Sequence, residues 1–163
     1  MAALTVGTKA PDFELNTIEG KPFFLSRALA FGPVILAFFK VSCPTCQYAF
    51  PFFERLHKAY PAVRIFGISQ NDANEAAAFT KDFGITFPIL LDDIRKYPVS
   101  NAYGLTNVPT LFWIAEDGEV QISSVGWVKS DFEQVNQMLA ETGKGAPAVL
   151  FKPGEEVRDF RAG

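Results

Sequence analysis

Reactive side chains are scarce in this sequence. It has one histidine, His57, and two cysteines, Cys43 and Cys46, in 163 residues. A structural zinc site normally takes four protein ligands, so two cysteines and one histidine do not close one within a single chain. A site shared across a dimer, or a bridging iron–sulfur cluster, is the only way left to hold a metal, and the expectation is no metal and no cofactor. There is no run of basic residues and the net charge is −3, which argues against a nucleic-acid or anionic-membrane surface. No apolar run reaches the ~18–20 residues of a membrane span. Met1 to Thr8 lacks a basic start followed by a long apolar stretch, so it does not read as a signal peptide. Taken as the native start, it points to the cytoplasm, where thiols are kept reduced and structural disulfides are rare.

What is present is a core. Hydrophobic residues make up 48% of the chain against 20% charged, and seventeen residues are Phe. That composition and length suit one domain with a substantial interior, and most of the Phe side chains belong to it. The expected division is a domain over residues 1–145 and an extension over 146–163. The extension carries Leu150, Phe151 and Phe160 among Gly, Pro and charged residues. It reads as an extended segment packed on the domain, or more sharply as a cover or dimer contact, whose deletion over 146–163 would alter oligomer state or thiol accessibility.

Along the chain, Asp12–Leu15 and Pro22–Leu25 read as short strands joined by a turn at Ile18-Glu19-Gly20. Ser26–Gly32 is a connector. Pro33–Phe39 is a continuous apolar run, as expected of a central strand covered on both faces. An amphipathic helix follows to Tyr60, with Phe50, Phe53, Leu56 and Tyr60 near helical spacing and Pro51 inside as a kink. Val63–Ser69 is a strand. Asn71 or Asp72 caps a helix to Phe83, which Gly84 stops. Phe87–Leu91 is a strand, Ile94–Tyr103 is partly helical and broken at Pro98, and Thr110–Ala115 and Val120–Val125 form a hairpin around Glu116–Glu119. Ser130 or Asp131 caps a last helix to Thr142. Strands alternating with helices in this way predict an α/β fold with a mixed sheet.

The chemistry concentrates where the central strand ends, at Cys43-Pro44-Thr45-Cys46. A helix that begins near Cys43 presents unpartnered backbone N–H groups to its sulfur, which favours negative charge there. The thiolate is the nucleophile of sulfur chemistry. Cys46 lies one turn further on, in reach of a mixed disulfide on Cys43, and the pair can hold two electrons as dithiol or disulfide. Two cysteines confined to one such motif beside a βαβ pattern read as redox rather than structural. His57, eleven residues past Cys46, is expected at the surface rather than as a catalytic base, and Trp127 either flanks the site or is simply buried.

Several further features coincide with the motif. Pro51 lies five residues after Cys46, and Val108-Pro109-Thr110-Leu111 precedes a strand. Asp117-Gly118-Glu119-Val120 and Val125-Gly126 mark a final hairpin, and Gly7-Thr8-Lys9-Ala10-Pro11-Asp12-Phe13 opens the chain. On these residues, about 5–142 resembles a thioredoxin-fold redoxin, of the branch that includes TlpA-like and AhpC/TSA-type proteins. The resemblance implies a thioredoxin-like fold: a central mixed β-sheet flanked by helices, with an N-terminal β-hairpin extension and a C-terminal tail. It also implies that Cys43 and Cys46 are catalytic and that Val108, Pro109 and Thr110 form a cis-proline loop holding the substrate backbone. Lys40, Pro44 and Thr45 support the site, with the Lys40 ammonium a candidate partner for the Cys43 thiolate.

The sequence departs from the family at three places. Ala37 stands where thioredoxins carry a buried Asp, Ala49 where TlpA-like proteins carry a Glu, and Ser42 where a Trp is usual. The familiar proton acceptor for Cys46 is therefore missing. The expected function is thiol–disulfide exchange with a disulfide-containing protein, restored by a separate thiol reductant, in a monomer or homodimer. One alternative is a peroxiredoxin-like thiol peroxidase with an antioxidant role. That motif has Thr or Ser three residues before its cysteine, and here the position is Lys40. The other alternative is a non-catalytic redox-sensing or scaffold module.

Overall fold

Val34 to Phe39 is buried at every position and organises the rest of the chain. The computed structural model describes residues 2–163. In chain order its elements are β1 (Glu14–Thr17), β2 (Pro22–Phe24), α1 (Leu25–Leu29), β3 (Val34–Phe39), α2 (Pro44–Ala59), β4 (Arg64–Ser69) and α3 (Ala73–Phe83). Then come β5 (Ile89–Leu91), α4 (Pro98–Ala102), β6 (Thr110–Ile114), β7 (Val120–Val125), β8 (Trp127–Val128), α5 (Lys129–Thr142) and β9 (Phe160–Arg161). Seven strands form one sheet in the order β2-β1-β5-β4-β3-β6-β7. β3 runs parallel to β4 and β4 to β5, while β6 and β7 are antiparallel, so the sheet is mixed.

Alternate residues of a strand face opposite sides, and β3 divides its side chains accordingly. Ile35, Ala37 and Phe39 face a layer built from α2, α3 and α5, including Phe50, Phe53, Phe79 and Phe132. Val34, Leu36 and Phe38 face the smaller second layer, with Leu25, Val99 and Tyr103. Because both faces are covered, the strand reads as a continuous apolar run rather than an alternating one. The aromatic residues act as core, with Phe50 in contact with Phe39, Phe53, Phe79 and Phe87 at ring-centroid distances of 4.5–5.7 Å.

Local signals set several element ends. The Asp72 side chain accepts from the Glu75 N–H at 2.8 Å and starts α3, and Gly84 ends it in the left-handed conformation at φ 68°. Other ends differ from expectation. β1 begins at Glu14 because Asp12 accepts from the Phe13 and Ser26 N–H groups instead of pairing in the sheet. Leu25 opens α1 rather than closing β2, and β5 starts after Pro88, which has no N–H to give. Pro98 does not break a helix but begins α4, where a missing N–H costs nothing. Neither Ser130 nor Asp131 caps α5. The helix starts at Lys129, and Asp131 accepts from the Ser124 hydroxyl at 2.6 Å.

His57 is half-buried rather than exposed. Its ring meets Phe87 edge-on at 6.0 Å, and its Nδ1 is buried without a partner. Trp127 is buried and stacks on Phe52 at 4.8 Å. The segment after α5 returns across α2. Leu150 is buried, Phe151 packs on Phe52 and Phe132, and Arg55 makes a two-pronged ion pair with Glu155 at 2.7 and 2.8 Å. Hydrogen bonding to that guanidinium, helped by the Lys152 N–H, holds the Glu155 carboxyl down at about 2. A depressed carboxyl keeps its contribution above its ordinary value of 4.5 and loses it as pH falls toward about 2, so the anchor is intact at neutral pH. Beyond the anchor, β9 pairs antiparallel with β8, a two-stranded ribbon that the sequence did not signal.

Candidate active site

The site lies where β3 hands over to α2. Cys43 is the residue that caps α2, in extended conformation, and Pro44 occupies the first turn, where proline is well tolerated. The Cys46 backbone N–H donates to the Cys43 sulfur at 3.2 Å. This is one of the helix-start donors that have no partner within the helix. Cys43 is half-buried and Cys46 fully buried, and both are free thiols.

Polar side chains fix the connecting loop. The Asn71 side chain accepts from the Val41 N–H at 3.0 Å, and the Gln47 side-chain amide donates to the Val41 carbonyl at 2.9 Å. The Cys43 N–H closes the turn on the Lys40 carbonyl at 3.2 Å. Lys40 thus meets the pair through its backbone. Its side chain is exposed, and among the described residues no hydrogen bond joins its ammonium to either sulfur.

Across the cleft, the Val108–Pro109 peptide bond is cis. The Cys43 thiol donates to the Val108 carbonyl at 3.3 Å, which places the loop against the motif. Thr110 is buried, and its hydroxyl donates to the Asn107 carbonyl at 2.7 Å, so it shapes the loop from behind rather than facing the cleft. Pro109 is tied to a third loop, because its carbonyl accepts the Gly126 N–H at 2.7 Å. Thr45 is buried too, and its hydroxyl donates to the Ala162 carbonyl at 2.6 Å. The tail residues Ala162 and Gly163, with Asn107, Asn71 and Gln47, are site neighbours that lie outside the sequence motifs. For Gln47 the one available signal was polarity beside the motif, and Asn71, far along the chain from it, read only as a helix cap. The tail carried none.

Burial pushes the Cys46 thiol well above its ordinary range, and its hydrogen bond to the Cys43 sulfur pushes the same way, while the Lys40 backbone opposes them. Cys46 is therefore a thiol at neutral pH. The nearest positions on its face where a carboxylate would sit, Ala37 and Ala49, are buried methyl groups. Glu54 is occupied by the Thr86 N–H and hydroxyl, and Asp131 by Ser124. The arrangement can do two-step sulfur exchange, with an accessible sulfur at a helix start and a protonated, water-shielded sulfur behind it.

Comparison with known proteins agrees with this geometry. Residues 6–123 match the sequence model of the AhpC/TSA family. The thiol-disulfide oxidoreductase ResA of Geobacillus thermodenitrificans is 34% identical over 136 residues, which cover 81% of this chain and 76% of that protein. The crystal structure of a thiol:disulfide interchange protein of the thioredoxin family from Chlorobium tepidum superposes with a TM-score of 0.68 at 29% identity. It covers 84% of this chain and 99% of the other. The thioredoxin domain of a thiol-disulfide oxidoreductase from Bacteroides vulgatus gives a TM-score of 0.74 over 84% of this chain and 99% of that domain. At 15% identity that likeness bears on the fold alone.

Proposed function

The chain belongs to the AhpC/TSA family and is a thiol–disulfide oxidoreductase, and from that premise we propose that its Cys43-Pro44-Thr45-Cys46 dithiol exchanges with disulfides in partner proteins. The Cys43 thiolate attacks one sulfur of the partner disulfide. A Cys43–partner bond forms, the partner S–S bond breaks, and the first partner sulfur leaves and takes a proton. Cys46 then attacks the Cys43 sulfur. Its proton passes to the departing partner thiolate, the Cys43–Cys46 disulfide forms, and the partner is reduced by two electrons. A separate thiol reductant restores the dithiol.

One observation carries this reading: the Cys46 N–H points at the Cys43 sulfur at 3.2 Å while the Cys46 thiol stays buried. The first sulfur lies at the cleft with a backbone donor on it, and the second is held back until a mixed disulfide exists. Ionisation of Cys43 also ends its donation to Val108, leaving that carbonyl to accept a backbone N–H from the partner. Because Ala37 and Ala49 supply no carboxylate, the leaving thiolate itself is the base for Cys46. Peroxide reduction has less support. Position 40 is an exposed lysine, and the described residues bring no hydroxyl donor to the Cys43 sulfur. A reducing role in the cytoplasm belongs to the same proposal.

The test is a single-turnover reaction. Reduced protein mixed with insulin should release two insulin thiols, from one insulin disulfide, per disulfide formed between Cys43 and Cys46, as read by alkylation and intact mass. Insulin left intact, or reduced without that intramolecular disulfide, would overturn the proposal.

A further inference from the structure

The last six residues do not simply cover the domain; they lie in the cleft beside Cys43. Thr45 from the start of α2 donates to the Ala162 carbonyl, and the Asn107 side-chain amide donates to the Gly163 carbonyl at 3.2 Å. A Cβ added to Gly163 would lie 2.5 Å from the Val108 carbonyl oxygen, the same atom that accepts from the Cys43 thiol. On the third side, a Cβ at Gly126 would come within 2.6 Å of the Arg161 carbonyl oxygen. Gly126 therefore lets the tail backbone lie directly against the loop that Pro109 holds. All three walls of the cleft touch the same short segment.

What holds the segment is mostly its main chain, with the Arg161 guanidinium over the Tyr48 ring at 5.4 Å as a side-chain contact beside it. β9 pairs with β8, the Lys129 N–H donates to the Asp159 carbonyl at 2.9 Å, and the Trp127 indole N–H donates to the Arg158 carbonyl at 2.7 Å. The Tyr48 hydroxyl accepts the Arg158 N–H at 3.0 Å. The Phe160 side chain, by contrast, is 62% exposed. A groove that takes most of its contacts from backbone is recognising an extended chain more than a sequence, as in peptide recognition by strand addition. The same donors and acceptors would hold any extended segment laid along β8.

We propose that residues 158–163 are an internal occupant of the groove that receives the partner, and that partners are extended, unfolded polypeptide segments bearing a disulfide, which displace them to reach Cys43. This rests on the thiol–disulfide reading above and adds to it a substrate class and a built-in competitor. The Arg55–Glu155 pair and the Leu150 and Phe151 contacts lie before the segment. They keep it tethered while it swings out, so its return is an intramolecular reaction at high effective concentration. A groove open for only part of the time lowers the apparent affinity for a partner by that fraction.

The experiment compares three reduced proteins: the full chain, a chain ending at residue 157, and full-length Arg161→Pro. The truncation keeps the anchor, and the proline removes a main-chain donor from β9 without shortening the chain. Far-UV circular dichroism and melting establish that each is folded. The second-order rate constant for reducing insulin should rise about tenfold or more in both variants. The constant for oxidised glutathione, which needs little of the groove, should change less than about threefold by the same argument. Insulin rates in the folded variants equal to or below that of the full chain overturn the inference and leave the exchange chemistry standing. Equal acceleration toward insulin and glutathione also overturns it, because it marks simple exposure of Cys43. A full chain and variants that reduce neither disulfide overturn the oxidoreductase proposal itself.

Discussion

Cys46→Ser is expected to turn the protein into a trap for its partner. In the wild-type protein, Cys46 sits one helical turn behind Cys43, buried and protonated, with its backbone N–H on the Cys43 sulfur. Serine preserves that backbone donor and the size of the side chain, so Cys43 still attacks. An alcohol does not then displace the partner from a mixed disulfide, and the complex accumulates to about one equivalent under non-reducing electrophoresis. Cys43→Ser is expected to behave differently. It removes the attacking sulfur, so the rate should fall to that of the buffer and no complex should form. Unimpaired turnover in both variants would show that the pair is not the reacting group. The asymmetry follows from burial: a thiol held up by desolvation is a poor first nucleophile and a sufficient second one, once the target sulfur is adjacent.

Phe50→Ala carries the largest expected loss of stability. Phe50 is fully buried on α2 and touches rings from β3, α3, α2 itself and the segment before β5. Removing it deletes contacts that no neighbour can replace in a close-packed layer, and leaves a cavity. Such a change costs about 3–5 kcal/mol. For a chain of this size that lowers the melting temperature by about 6–20 °C. The site should suffer as well, because Phe39 and Phe50 lie on either side of the loop that presents Cys43. Phe31→Ala is the control. Phe31 is 86% exposed, and its loss should change stability by less than about 0.5 kcal/mol. A melting temperature for Phe50→Ala within 2–3 °C of wild type, about the shift of a 1 kcal/mol change, would show that the layer repacks.

How much of this was legible in the sequence depends on where each signal resides. β3 and the ends of α3, at Asn71 or Asp72 and at Gly84, were readable, because apolar continuity and capping chemistry are local. The meeting of Cys43 with Val108 across 65 positions came only through resemblance to a family, not from any spacing in the chain. Pro98 was misread because the same missing N–H that breaks a helix interior is harmless at its first turn. Ser130 and Asp131 looked like caps, but Ser124 takes the Asp131 carboxylate and the tail carbonyl of Asp159 receives the Lys129 N–H. His57 looked solvent-facing from its polarity, and Phe87, brought in from thirty positions away, buries it. The tail was the least legible part. Its last residues are held through backbone atoms that every sequence has, so Ala162 and Gly163 gave no hint that they end beside Cys43.

The most direct test of the central claim is to equilibrate the protein across a series of thiol–disulfide buffers and count free thiols by alkylation and intact mass. The expected result is one two-electron transition, from dithiol to a Cys43–Cys46 disulfide, with a midpoint at or below about −200 mV, the range of cellular reductants. A protein that forms no intramolecular disulfide at any poise would contradict the account.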